Sequence, residues 1–201
     1  MKLNILHRRE TITLTAIDIM NEKGIQSLTT KEIANREGIT EGAIYKHFTR
    51  KNDIILSVLD HFAKYDQDIN KTIELKKLDS MESIRFYFEA YTTYYQNYPA
   101  ITVVLLGYDQ FRYDKELEQK IKEIIYSRSN YVSKLIKQAQ DSKLINQDID
   151  HILLADVFIG SFNRLCLKWR LQNYNFSLKD KGLEAITMLL CAFAEKTWRE
   201  D

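Results

Sequence analysis

Hydrophobic positions in this sequence recur at steps of three and four residues, the spacing that places them on one face of a helix, and no stretch alternates as a strand would. Ile12, Ala16, Ile19 and Met20 form the stripe of a first helix, from about His7 to Lys23, closed by Gly24. Thr29 and Glu32 fit a capping box that starts a second helix at about Thr30, with Ile33 and Ala34 facing inward. Gly38 stops it, and Ile39 plugs the core beside the turn. Thr40 caps a third helix, Glu41 to His47, with Ile44 and Phe48 as its buried contacts. Ile54, Ile55, Val58, Leu59 and Phe62 mark a fourth helix, expected to run from Lys51 to about Glu74.

Beyond the loop "KKLDS", a fifth helix covers about Met81 to Tyr98 and ends before Pro99, which restricts the residue ahead of it and has no amide hydrogen to donate. A short apolar helix near Ile101–Leu106 follows, then long ones over about Lys115–Ser142, Asp150–Gln172 and Leu178–Arg199. The fold class is therefore all-α, with about nine helices. A single proline and six glycines in 201 residues agree, since sheets need more turns than these supply. The expected division is a three-helix module over residues 1–52 and a larger helical domain over 53–201, with the boundary inside the fourth helix.

Two short helices joined at a glycine make a helix-turn-helix pattern, and the third helix has an odd composition. Gly42 costs a helix roughly 1 kcal/mol relative to alanine. Gly42 and Ala43 leave the backbone slim enough to approach phosphates or base edges, and Ala43 suits a thymine methyl. Tyr45, Lys46 and His47 then offer three donors for phosphate oxygens, and Lys46 can reach guanine acceptors. Thr30 and Lys31 open the second helix, where free amides favour a phosphate, and Lys51 repeats the arrangement on the fourth. Net charge is only +1, but residues 1–51 carry nine Lys/Arg against six Asp/Glu, while the remainder carries twenty against twenty-two. The positive end is thus the end with the helix-turn-helix.

The stretch "TTKEIANREGITEGAIYKHFTRKNDII", residues 29–55, closely resembles the DNA-binding signature of TetR/AcrR-type transcriptional regulators. The Thr-Thr pair, Ile-Ala pair, turn glycine, small-residue recognition helix, Tyr-x-His-Phe and following lysine all match. The resemblance implies phosphate contacts from Thr30, Tyr45, His47 and Lys51, and places Glu41, Gly42, Ala43 and Lys46 toward bases or the adjoining backbone. Lys31 suits either role, and the capping Thr40 is counted with them. Glu41 departs from the pattern, standing where many relatives carry a neutral polar residue. A carboxylate there accepts from cytosine N4 but repels phosphate.

The resemblance also implies a ligand-binding, dimer-forming larger domain. Its last two helices are apolar on most sides, which suggests a partner surface beyond the core. Phe158, Ile159, Phe162, Leu189 and Phe193 are the candidates for a homodimer interface, and Gly160 and Ser161 would permit close approach. Seven of the twelve tyrosines lie between Tyr87 and Tyr113. An aromatic core stripe accounts for any one of them. As a group, Tyr87, Tyr91, Tyr94, Tyr98, Tyr108, Phe111 and Phe162 are candidates for a cavity wall suited to a flat or long apolar ligand. Arg85 and Arg164 are the candidates for an acidic head group.

Other chemistries find little support. His7, His47, His61 and His151 have no zinc spacing, there is no phosphate-binding glycine loop, and no nucleophile elbow occurs. No metal, cofactor or catalytic residue is expected. Cys166 and Cys191 read as two buried core residues of a reducing compartment. No signal peptide or membrane-length apolar run is present, so a cytoplasmic protein is expected. The expected function is a ligand-responsive repressor that binds double-stranded DNA as a homodimer and is released by a small apolar or aromatic effector. An interaction adaptor that keeps the helix-turn-helix as a scaffold, and an all-helical enzyme, are the alternatives.

Overall fold

The computed structural model describes residues 2–195. Among them the chain is helical throughout, in eleven α-helices and two short 3-10 helices, with one isolated antiparallel bridge between Ile145 and Ala194. Two helices exceed the expected nine, because two expected helices are each divided. The expected fourth helix is broken: α4 (Lys51–Phe62) ends at Ala63 and α5 (Asp66–Lys76) begins anew. The turn over residues 63–65 separates them, and Asp66 is the first residue of the new helix. The segment after Pro99 divides into a 3-10 turn (Pro99–Ile101), α7 (Thr102–Leu105) and α8 (Tyr108–Phe111). The expected end at Arg199 lies outside the described residues; α11 runs from Leu178 to Phe193.

The chain forms two compact units. The first comprises, among the described residues, 2–64 and 99–123. It contains α1 (Lys2–Lys23), α2 (Thr30–Glu37), α3 (Glu41–Tyr45), α4, α7, α8 and the start of α9 (Lys115–Asp141). Ile12, Ala16, Ile17, Ile19 and Met20 on α1 are buried, packed with α4 and with the 99–105 turn. Ile33, Ile44, Phe48, Val58 and Leu59 complete this core, each side chain contributing about 1.5–3 kcal/mol by leaving water. Asp114 accepts from the Glu116 and Leu117 amides and starts α9; these bonds hold its carboxyl below the usual range.

The second unit comprises, among the described residues, 65–98 and 124–195. It contains α5, α6 (Ser80–Asn97), the rest of α9, α10 (His151–Leu171) and α11. Asp79 and Glu82 form a reciprocal box at the start of α6: the Glu82 amide donates to Asp79 Oδ1 at 2.8 Å and the Asp79 amide to Glu82 Oε2 at 3.1 Å. Asp150 accepts from the Ile152 and Leu153 amides and caps α10. Helices α6 and α11 press together at Gly182, where an added Cβ would lie 2.4 Å from Thr92 Cγ2. Cys166 is buried, and burial pushes its thiol up to about 12. Cys191 is exposed instead, because it sits one residue past the inward stripe that Ile186 and Leu190 define.

Candidate nucleic-acid interface

The turn is built by its caps. The Glu32 amide donates to Thr29 Oγ1 at 3.0 Å. The return half of the expected box is replaced: the Glu32 carboxylate accepts from Lys23 Nζ at 2.8 Å and Arg36 Nε at 3.1 Å. Gly38 takes the left-handed conformation, φ 63°, and lets the Ile39 amide reach back to the Ala34 carbonyl. The Ala43 amide donates to Thr40 Oγ1 at 3.2 Å, so Thr40 serves α3 as its cap. The helix closes at Tyr45, two residues before the expected His47, as the Lys46 and His47 amides turn back onto Ile44.

This short helix is pinned by one face only. Ile44 and Phe48 are buried, whereas Glu41, Gly42, Tyr45 and Lys46 are exposed, and Ala43 and His47 are half-buried. Tyr45 leaves 54% of its surface in solvent, a large apolar ring that its own chain does not cover. The glycine at 42 is not demanded by the fold: an added Cβ would meet only Thr40 Oγ1, at an ordinary 3.8 Å. Thr30 and Lys31 stand at the start of α2, and the Thr30 hydroxyl donates to Glu41 Oε2 at 2.5 Å. The carboxylate that departs from the signature thus holds a donor that the signature aims at phosphate. Lys51 opens α4, exposed, its Nζ 3.4 Å from the Ile25 carbonyl.

Two cations escaped the sequence reading. The Arg9 guanidinium lies 4.4 Å over the Phe48 ring and donates to the His47 carbonyl at 3.0 Å, which puts a charge from α1 beside the end of α3. Arg50, next to Lys51, is bonded to Asp53 and to Glu116. The basic run "HRRE" was the only local signal for Arg9; its place beside His47 comes from the packing of α1.

The other candidates fall in both units. Tyr87, Tyr91, Tyr94, Tyr98 and Phe162 belong to the second, and Tyr108 and Phe111 to the first, where Tyr108 donates to Glu118 at 3.0 Å and Phe111 is fully buried. Arg85 and Arg164 are exposed. The guanidinium buried among the tyrosines is that of Arg128, which stands in the polar stretch "YSRSN" of α9 and gave no local signal. Of the interface candidates, Phe158 and Phe162 are consumed by the unit's own core, with ring centroids 6.1 and 5.6 Å from Phe88. Ile159, Leu189 and Phe193 are half-buried. The apolar stripe that α10 leaves outward is a different one, Leu153, Val157, Leu167 and Leu171, joined by Met188 on α11. It passes through Gly160, where an added Cβ would meet nothing within 4 Å.

Among the described residues, no helix is long and apolar enough to cross a membrane, and no group of three metal-ligating side chains occurs.

Residues 12–58 match the family model of bacterial regulatory proteins, tetR family. The fatty acid metabolism regulator protein of Bacillus subtilis is 22% identical over 187 residues, covering 90% of this chain and 93% of that protein. A crystal structure of the transcriptional regulator FadR from Bacillus subtilis in complex with stearoyl-CoA superimposes with a TM-score of 0.78 at 20% identity, covering 90% of this chain and 97% of that one. The MbdR regulator from Azoarcus sp. CIB does so with a TM-score of 0.80 at 23% identity, covering 90% and 96%. At these identities the solved structures establish a shared all-helical fold.

Proposed function

We propose, on the match of residues 12–58 to the tetR-family model, a ligand-responsive transcriptional repressor of that family that works as a homodimer in the cytoplasm. The observation that carries the reading is the surface of α3. It presents a glycine its own chain does not require, followed by an exposed tyrosine and lysine, on a helix held by only two buried side chains. Such a helix fits the major groove, with Ala43 and Lys46 toward base edges and Thr30, Tyr45, His47 and Lys51 toward phosphates. Arg9 and Arg50 extend the phosphate surface, and Lys31 supports it.

The second copy covers the outward stripe of α10 and α11. Two recognition helices then meet a near-palindromic operator at a half-site spacing of about 34–36 Å or a multiple. The effector is a small, largely apolar molecule taken up by the second unit, and the stearoyl-CoA complex of a protein of the same fold supports an acyl-type class. It acts by binding the form that does not fit the operator better than the form that does.

The test is a duplex-binding titration at several salt concentrations with operator candidates selected from random sequence. The expected result is a steep loss of affinity with salt, since each phosphate contact releases a counterion. Lys51→Ala weakens all duplexes alike and lowers the salt slope by about 1, while Lys46→Ala changes the preferred sequence. A flat salt response, or sequence-blind losses from both variants, overturns the reading.

A further inference from the structure

The second unit contains a buried charge that DNA binding does not use. Arg128 on α9 keeps 13% of its side chain exposed, and its counter-ion Asp66, the first residue of α5, keeps 18%. The pairing is a fork: Nε donates to Asp66 Oδ2 at 2.9 Å and Nη2 to Oδ1 at 2.7 Å. Nη1 donates to the Tyr95 hydroxyl at 3.2 Å, and the guanidinium carbon lies 4.7 Å over the Tyr91 ring. The Tyr91 hydroxyl donates to Asp66 Oδ1 at 2.7 Å. Around this pair the rings form a continuous wall: Tyr87 and Tyr91 are 4.9 Å apart by centroid, and Tyr95 stacks on Phe162 at 5.8 Å.

Two features of this arrangement point to a ligand. First, a buried ion pair adds little net stability, because desolvating both charges offsets their attraction, and an apolar replacement of equal volume is often as stable. Second, the counter-ion is the first residue of α5, a short helix that buries only Ile69 and Ile73, so the end of the chain segment that carries Asp66 has few core side chains of its own to fix it. A guanidinium fork holds one planar carboxylate as well as another of the same geometry.

We propose that Arg128 receives the head group of the effector: the carboxylate of an apolar monocarboxylic acid displaces Asp66 from the guanidinium. The body of the acid then lies along Tyr87, Tyr91, Tyr95 and Phe162. The exchange swaps one carboxylate for another, with no bond made and no proton moved. The released Asp66 frees the start of α5, four residues along the chain from the end of α4, whose first residue is Lys51. This rests on the effector-responsive reading above and specifies the effector's chemistry.

The test is calorimetric titration of the full chain without DNA, using dodecanoate and 3-phenylpropionate against dodecan-1-ol and 3-phenylpropan-1-ol. The acids are expected to bind at least about tenfold tighter than their alcohols, near 1.4 kcal/mol. Arg128→Lys, which keeps the charge and loses the fork, reduces that preference to about threefold or less. Tyr91→Phe, which keeps the ring and releases one bond to Asp66, tightens the acids and leaves the alcohols unchanged. Equal affinity for acids and alcohols in the wild-type chain overturns the proposal, as does an acid preference that survives Arg128→Lys intact. Because no DNA is present, a chain that prefers acids but ignores every duplex sinks the repressor reading alone. One that binds DNA with a flat acid response sinks this proposal alone.

Discussion

At the scale of single residues, Gly42 separates folding from recognition. Alanine fits its site without a clash and favours a helix by up to about 1 kcal/mol. Gly42→Ala is therefore expected to leave the melting temperature equal or higher, yet to weaken duplex binding by about tenfold as the added methyl holds the backbone away from the groove. A variant that binds as well as the wild type removes the reason given for the glycine. His61 carries the second residue-level expectation. Burial, aided by the Lys64 charge, lowers its folded pKa, so the folded chain disfavours the proton. Above the unfolded value, about 6.5, both states are neutral and its stability is fully present. As pH falls below that value the unfolded chain takes up the proton first, and stability is lost until the folded value is passed. Thermal melts from pH 8 to pH 5 are expected to show this loss, and His61→Gln to reduce it.

At the scale of elements, the close contact of α6 and α11 depends on a missing side chain. A Cβ at Gly182 meets Thr92 Cγ2 far inside van der Waals contact, and both residues are buried. Gly182→Ala is expected to destabilise the chain by about 1–3 kcal/mol through overpacking. Adding Thr92→Ser removes the offending methyl while keeping the hydroxyl that donates to the Glu89 carbonyl at 2.9 Å, and should restore most of the loss. Denaturant midpoints of the two single variants and the double variant read this coupling, and simple additivity would count against it. Gly160 is the counterpart: an added Cβ there meets nothing within 4 Å, so Gly160→Ala is expected to leave the denaturant midpoint equal or higher.

At the scale of the whole molecule, Leu153, Val157, Leu167 and Leu171 leave apolar surface in water on one face of α10, interrupted by Gly160 and the exposed Arg164. Val157→Glu places a charge one turn from Leu153. Sedimentation is expected to show a dimer for the wild type and a monomer for the variant, with the variant's fold intact by circular dichroism. Operator affinity should fall with it, because one recognition helix alone reads a half-site. A wild-type monomer at micromolar concentration would sink the dimer reading.

Periodicity determined the all-α class and the inward faces, and capping residues, glycines and the proline determined most helix starts and stops, because each is decided within a turn or two of the residues that encode it. The helix-turn-helix was legible for the same reason: Thr29, Gly38 and Thr40 act through contacts at short range, and Ile44 and Phe48 stand out as the apolar positions beside them. What lay out of reach is what distant segments decide. The fourth helix breaks over residues 63–65, and tertiary structure sets the Asp66 carboxylate that follows on Arg128, 62 residues away. It also brings Arg9 from α1 to the end of α3, and brings residues 99–123 into the first unit. Phe158 and Phe162 turn inward while Leu153 and Val157 turn out, a choice that an apolar helix cannot reveal by itself. An apolar residue is recognisable from its chemistry, but the neighbour that covers it is chosen only when the helices pack.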